Sequence, residues 1–349
     1  MANQKPAAED AGNKNTQLLK EDEMGRKGVF SKATACLLAL ALTVGWASMA
    51  LAAKNEKLRF VFIPKVVHPW YDQVVEGAKA AAREISATTG REVFIDYVAP
   101  QQADVMIHNQ TIERAIATHP DGLAVAILDA ATNGPLLKTA IKHGIPTLVY
   151  DSVPPEEGMR ITAVGVDYIK QGVQMAEELA RAMNYKGQVG LLIGAPTAPN
   201  HQLRVKGIKE TFSKYKDITI VAEAVDNDSI EVGQKNAAAI ISSHPDIGGM
   251  ISVDAAGPIG IGIAIREAGK KGKIKLVGCA NLAEMLKQVE EGIAVGTSVQ
   301  YTRQIGWWCT HCLYMEATGN GQYLPENINV GMFMLYPDGV AAYRESLKK

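Results

Sequence analysis

The sequence predicts an α/β fold made of two doubly wound parallel-sheet domains. Short apolar runs alternate with segments whose apolar residues recur every 3.6 residues, from Leu58 almost to the end of the chain. Most of the apolar runs are continuous, as in parallel strands that are covered on both faces. A His-Pro-Asp turn, an apolar strand and an acidic residue follow one another in each half, at 119–129 and at 244–254. Repeated βαβ units of this kind form parallel sheets with right-handed crossovers.

The first half begins with a strand over 58–63 that ends at Pro64. Proline has no amide hydrogen to donate to a sheet, so the strand stops there. The other elements of this half follow from continuous apolar runs for strands and from helical periodicity for helices. They are the helices 72–86, 106–118 and 134–143 and the strands 93–98, 122–127, 147–150 and 163–166.

The second half repeats the alternation. Its predicted helices are 171–183, 202–215, 231–244, 259–268 and 282–291, and its predicted strands are 188–193, 219–224, 249–253, 275–278 and 295–299. Cys309 and Cys312 lie in a further apolar run, where we interpret them as buried helix cysteines. A disulfide between them in an oxidising compartment is the alternative.

The first 52 residues are predicted to be a cleaved export signal. Basic residues, the last of them Lys32, precede an apolar run that ends at Ala50-Leu51-Ala52, a pattern suited to signal peptidase. We expect cleavage after Ala52, and Met24 as a start would give a signal of ordinary length. The alternative is a retained membrane anchor, because 33–52 has about the 20 residues that span a bilayer.

Composition excludes several classes of function. The 349 residues suffice for two domains, and the formal net charge of −1 without any basic run gives no reason to expect a nucleic acid partner. We find no Gly-x-Ser-x-Gly elbow, no phosphate-binding loop and no His-Glu-x-x-His motif. The sequence therefore predicts neither an enzyme nor a cofactor or metal site.

A loop that follows the first strand carries the first candidate ligand-binding residues. Ligands of open α/β sheets bind at the carboxyl ends of the strands, which is where His68, Trp70 and Tyr71 lie. The aromatic rings offer flat faces for the C–H groups of a sugar or for a cation. His68 either bonds the ligand or caps the helix that follows.

Further candidates come after later strands. Asp151 and Asp254 each follow a buried strand, where a carboxylate needs a partner. Arg204 can fork across two ligand oxygens, and Gln300 can donate and accept at one hydroxyl. Asn227 is a weaker candidate in the turn Val-Asp-Asn-Asp-Ser.

Several local patterns resemble the type I periplasmic binding proteins, in particular the ribose- and galactose-binding branch that serves ABC importers. They occur in the family's order from Leu58 to the end of the chain. The matching segments are His-Pro-Trp-Tyr at 68–71 and those at 124–130, 145–151, 164–172, 203–207, 276–278 and 296–300.

The resemblance implies two lobes that are joined by a three-crossing hinge, with a ligand cleft between them. Residues 57–163 plus 302–330 would form the N-terminal lobe, and 164–301 plus 331–349 the C-terminal lobe. It further implies a periplasmic protein that binds a sugar or sugar-like solute by hinge closure. An ABC transporter permease in the inner membrane would receive the solute.

Three departures from the family pattern leave a second hypothesis open. Ser152 stands where arginine is usual, Ala280 where aspartate is usual, and Asn227 where an aromatic ring often closes the far face of the sugar. A polyol or a small amine therefore also comes into consideration. In that alternative the protein is a periplasmic sensor with an amine or amine-oxide ligand, and its partner is a membrane histidine kinase or chemoreceptor.

Overall fold

The computed structural model describes residues 57–159 and 161–347, so the predicted export signal lies outside the described residues. One six-stranded sheet is parallel throughout, in the order β11-β5-β4-β3-β1-β2. Its strands are β1 (Leu58–Ile63), β2 (Val93–Tyr97), β3 (Gly122–Val125), β4 (Thr147–Tyr150), β5 (Ala163–Gly165) and β11 (Asn327–Asn329).

The other six-stranded sheet has the order β12-β10-β9-β8-β6-β7 and is parallel except for β12, which runs antiparallel to β10. Its strands are β6 (Gly187–Ile193), β7 (Ile218–Val225), β8 (Ile247–Ser252), β9 (Lys275–Gly278), β10 (Gly296–Gln300) and β12 (Met332–Leu335).

Helices cover both sheets. With the first sheet lie α1 (Pro69–Thr89), α2 (Val105–Ala117), α3 (Ala130–Lys142) and α9 (Thr302–Ala317), and together they form the first lobe. With the second sheet lie α4 (Tyr168–Ala182), α5 (Pro199–Phe212), α6 (Ile230–Ser243), α7 (Gly257–Glu267), α8 (Ala283–Glu290) and α10 (Val340–Ser346), and together they form the second lobe. Two short 3₁₀ helices are Gly321–Tyr323 and Pro337–Gly339.

The chain passes between the lobes at 166–167, at Tyr301 and at 330–331. The predicted fold class, two parallel-sheet α/β domains joined by three crossings, is therefore confirmed. The predicted domain bounds stay a prediction, and β5 runs two residues past the proposed boundary at 163. No helix among the described residues is both long enough and apolar enough to cross a membrane.

The sequence prediction omits β11, β12 and α10. The two strands are only three and four residues long, and each pairs at the edge of a sheet with a partner from far along the chain. Such pairing depends on the crossings between the lobes, and no local pattern encodes it. The cysteines of α9 agree with the first interpretation, because Cys309 and Cys312 are buried free thiols.

Two glycines bring α1 and α9 into close contact. A Cβ atom at Gly77 would overlap the carbonyl oxygen of Arg303, and a Cβ atom at Gly306 would overlap that of Val74. The backbones of the two helices thus touch without intervening side chains. This contact joins the helix that follows β1 to a helix that returns from the second lobe.

Gly77→Ala is expected to destabilise the protein by about 1–3 kcal/mol or more, because the backbone oxygen that it meets cannot move without its helix. Alanine has a higher helix propensity than glycine, so by propensity alone this substitution would stabilise the protein. A loss of stability would therefore come from the overlap with α9. Ala80→Gly, about one turn further along α1, is the control and should lower stability by about 1 kcal/mol through propensity alone. Urea unfolding measures both, and a neutral or stabilising Gly77→Ala would contradict the close contact.

Candidate functional site

A narrow cavity of about 30 Å³ lies between the lobes, at the carboxyl ends of the strands. The first lobe lines it with Lys65, Val66, His68, Trp70, Tyr71 and Asp151. The second lobe lines it with His201, Arg204, Asp228, Asp254, Ala255, Cys279 and Gln300. We call this space the cleft cavity.

The structure brings together all of the predicted ligand-binding residues except Asn227. That residue is exposed and does not line the cleft cavity, whereas the next residue, Asp228, does. Asn227 and Asp228 both have positive φ angles of 56° in the turn after β7, and the amide of Asn227 donates to the carbonyl of Gly194. The turn therefore presents Asp228 to the cavity, which corrects the sequence assignment by one residue.

The aromatic wall is built by the first turn of α1. Trp70 and Tyr71 are its second and third residues, and their rings meet edge to face with centroids 5.1 Å apart. His68 is the N-cap, and its Nδ1 accepts a hydrogen bond of 3.2 Å from the amide of Trp70. Burial lowers the pKa of His68, so the ring is neutral and its Nε2 carries the hydrogen. His68 thus caps the helix and also faces the cavity.

Asp151 accepts several hydrogen bonds from protein groups in the cleft cavity. Its oxygens accept from the ammonium of Lys65 at 2.9 Å, from the hydroxyl of Tyr71 at 3.0 Å and from the amide of Asn200 at 3.1 Å. The guanidinium of Arg204 lies 3.8 Å away. Burial and the charge of Asp151 raise the pKa of Tyr71, so its hydroxyl stays protonated and donates. Protein groups therefore already satisfy Asp151.

Lys65 is a residue that the sequence analysis missed. Its side chain is 2% exposed, and besides Asp151 it donates to Oδ1 of Asn200 at 3.1 Å. Asn200 belongs to α5 in the second lobe, so this bond crosses the cleft. Its position two residues after β1 could have identified it, because ligands bind at the carboxyl ends of the strands of such a sheet.

Arg204 is fixed by neighbours in the second lobe. Its Nε donates to Gln171 at 2.7 Å and its Nη1 to the carbonyl of Val253 at 3.0 Å. The guanidinium lies over the ring of Tyr168, 4.9 Å from the centroid. Only Nη2 is left to face Asp151 and the cavity. Most of the guanidinium donors that were predicted to bind two ligand oxygens therefore bind protein groups instead.

Three carboxyl groups gather in the second lobe. Asp254 accepts from the hydroxyl of Ser252 and, through Oδ2, from the amides of Ala256 and Gly257 at 2.9 Å each. Burial and the charge of Asp254 raise the pKa of Asp226 well above its usual range, so Asp226 is a neutral acid beside Asp254. Asp254 is thereby saturated at the start of α7.

Asp228 completes the acidic group. Burial, followed by the charge of Asp254, raises the pKa of Asp228 to about 7, and the ammonium of Lys65 opposes that rise. His201 lies beside it, with Nε2 4.0 Å from Oδ1 of Asp228. Burial lowers the pKa of His201, and its Nδ1 accepts from the amide of Ala195 at 2.9 Å, so Nε2 carries the hydrogen.

Three buried polar atoms of the cavity-lining residues have no hydrogen-bond partner. They are Nε2 of His68, Oδ2 of Asp228 and Oε1 of Gln300. Buried polar atoms without partners are rare in folded proteins. These three atoms are therefore available to a ligand, whereas Asp151, Arg204 and Asp254 are engaged. Across the described residues, no cluster of three or more His, Cys, Asp or Glu side chains is arranged to hold a metal ion.

Two α/β lobes with a polar cavity between them are typical of small-molecule receptors. Residues 60–321 match the model of the periplasmic binding protein domain family, and the chain belongs to that family.

Named relatives and a solved structure agree with this membership. The chain is 25% identical over 275 residues to a D-ribose/D-allose-binding protein of Pseudomonas aeruginosa, covering 76% of this chain and 85% of the relative. It is 26% identical over 237 residues to a D-apiose import binding protein of Actinobacillus succinogenes, covering 68% and 73%. An ABC transporter solute-binding protein from Burkholderia graminis, in complex with D-arabinose, superposes with a TM-score of 0.76 at 28% identity, covering 82% of this chain and 97% of the other.

Lys65→Met is expected to lower the free energy of unfolding by about 3–5 kcal/mol, because the buried Asp151 carboxylate loses its nearest cation and keeps only Arg204 at 3.8 Å. The double variant Lys65→Met/Asp151→Asn removes both charges and should recover part of that loss, since asparagine tolerates the φ of 44° at position 151. Chemical unfolding of the two variants tests the pair. A double variant that is less stable than the single one would contradict it.

Asp226→Asn is expected to make the free energy of unfolding less dependent on pH. The unfolded chain ionises Asp226 above its ordinary pKa of 3.8, whereas the native state keeps the proton, so stability falls as pH rises, by at most about 1.4 kcal/mol per pH unit. Asparagine can still donate to Asp254 but does not ionise. Between about pH 5 and pH 8 the melting temperature of the variant should therefore fall less than that of the wild type.

The control for this experiment is Asp246→Asn, which changes an exposed aspartate in a turn of the same lobe. Its melting curve should follow the wild type across the same pH range. Parallel curves for the wild type and Asp226→Asn would show that Asp226 does not hold the proton.

Proposed function

We propose that the protein is an exported receptor that binds a sugar or a small polyol and delivers it to an ABC transporter permease. One observation carries the proposal: an aromatic wall and converging hydrogen-bonding groups from both lobes meet at the strand ends of two parallel sheets. Sugars combine an apolar C–H face with hydroxyl groups, and such a cavity recognises both.

The named relatives support the same ligand class. They bind D-ribose, D-allose and D-apiose, and the similar solved structure contains D-arabinose. One of these relatives is named for import and the solved structure for an ABC transporter, which supports a role in uptake. None of these three supports the sensor alternative with a histidine kinase or chemoreceptor, and we do not pursue it.

Hinge closure is the proposed mechanism. Residues from both lobes line the cleft cavity, and its volume of about 30 Å³ is too small for a sugar, so a sugar enters only when the lobes separate. Contacts that a ligand makes to both lobes at once stabilise the closed state relative to the open one. The proposed ligand-binding residues are His68, Trp70 and Tyr71 of the first lobe and, from the second, Arg204, Asp228 and Gln300. Asp151 and Asp254, which protein donors already engage, organise the two sides of the cleft.

We further propose that residues 1–52 direct export to the periplasm and are then removed. The basic residues, the apolar run and the Ala50-Leu51-Ala52 ending support this. A purely binding role is supported by the state of the single thiol in the cavity. Burial raises the pKa of Cys279 to about 12, and its thiol lies 3.1 Å from the carbonyl oxygen of Asp254, so it is not a reactive thiolate.

Titration calorimetry against D-ribose, D-allose, D-arabinose, D-apiose and xylitol should give binding heat for at least one member. Trp70→Ala is expected to weaken that binding by about tenfold or more, because the sugar face loses its contact with the indole ring. Such a contact contributes about 0.5–1.5 kcal/mol beyond the effect of the buried area.

Trp308→Ala is the matched control. Trp308 is 39% exposed on α9, and Trp70 is 6% exposed in the cleft cavity. The control should leave the dissociation constant unchanged. Absence of heat from every member of the panel would contradict the proposed ligand class, and equal losses in the two variants would contradict the assignment of the aromatic wall.

A further inference from the structure

We propose that Asp228 selects the ligand, by accepting a hydrogen bond from a hydroxyl group on the ligand face that points away from Trp70. The inference rests on the proposed function and narrows its ligand class. The preferred ligand has one apolar face and carries a hydroxyl donor on the opposite face. A sugar that is apolar on both faces is disfavoured.

The first argument comes from the acceptors that remain free. Asp151 and Asp254 are fully engaged by protein donors, as described above. Among the cavity-lining residues, the buried oxygens without a partner are Oδ2 of Asp228 and Oε1 of Gln300, which is 4% exposed. A hydroxyl-rich ligand must place its donors on these two oxygens of the second lobe.

The second argument comes from the composition of the opposing walls. Both aromatic rings of the cleft cavity, Trp70 and Tyr71, belong to the first lobe. The second lobe contributes only polar or small side chains to the cavity. A ring stacked on Trp70 therefore meets polar groups on its other face. Because Asp228 is a carboxyl group with a free oxygen, that face needs a donor.

The third argument is that Asp228 is held in place. The backbone amide of Asp228 donates to Oδ1 of Asp226 at 3.0 Å, and this bond stabilises the left-handed turn. Gly194 leaves room for the side chain, since a Cβ atom there would lie 2.9 Å from Oδ1 of Asp228. The backbone of Asp228 is consequently held in place before the ligand binds, and an acceptor that is held in advance discriminates more strongly than a mobile one.

The charges around Asp228 act on its ionised form in opposite directions. Asp254 and Asp151 repel its ionised form, and Lys65 and Arg204 attract it. A hydrogen bond from a hydroxyl group to a carboxylate is stronger than one between neutral groups. A ligand without the hydroxyl leaves the buried oxygen unpaired, and we expect it to bind about 10- to 100-fold more weakly.

The test uses the tightest ligand of the sugar and polyol panel described above and each monodeoxy derivative of that ligand. Calorimetry on the wild type should find one deoxy position that weakens binding by about 10- to 100-fold. Asp228→Gly removes the carboxylate and keeps the positive φ that glycine adopts without strain. In this variant the same deoxy derivative should bind within about threefold of the parent sugar, because the acceptor is gone.

Asn227→Gly is the matched control, since it makes the same replacement at the same φ one residue away and outside the cleft cavity. It should retain the wild-type deoxy profile, and thermal melting of both variants verifies that they fold. If no member of the panel binds the wild type, the proposed function fails and this inference with it. If the wild type binds and Asp228→Gly keeps its deoxy profile, the proposed function stands and the role of Asp228 is overturned.

Discussion

The buried carboxylate of Asp151 is the constraint on which the cleft depends. A charge at the end of a buried strand is unfavourable without partners, and four side chains from three parts of the chain satisfy this one. Lys65 comes from the end of β1, Tyr71 from α1, and Asn200 and Arg204 from α5 in the second lobe. Because two of these groups belong to the opposite lobe, the closed arrangement itself completes the coordination of Asp151. The position of the aromatic wall follows, since Tyr71 is bonded to this carboxylate and packs against Trp70.

Much of the fold could be predicted because its signals are local. Strands β1, β4 and β9 have the bounds that the sequence predicts for them, and the parallel arrangement follows from the alternation of strands with helices. The edge strands β11 and β12 could not be predicted, because they exist only where the crossing chain meets a sheet. Local sequence does not specify that meeting.

The site was predictable to the extent that it consists of residues directly after strands. Asp151, Asp254 and Gln300 could be found because every parallel strand delivers its end to the same edge. Which of Asn227 and Asp228 faces the cleft cavity could not be predicted, because the answer depends on the left-handed backbone conformation of both residues in the turn. Lys65 was hidden by its residue type, since lysine is seldom buried without a partner and the partner lies 86 residues away.

The contact between α1 and α9 has a consequence for the order in which the protein acquires its structure. Arg303 of α9 bonds Glu76 of α1 across 227 residues of sequence, and most of the second lobe lies between them. During synthesis the first lobe therefore exposes the apolar face that α9 later covers until almost the entire chain has been made. Contacts of such long range form late and slowly. Neither lobe is thus complete before the end of synthesis, because α9 and β11 complete the first lobe and the still later β12 and α10 complete the second.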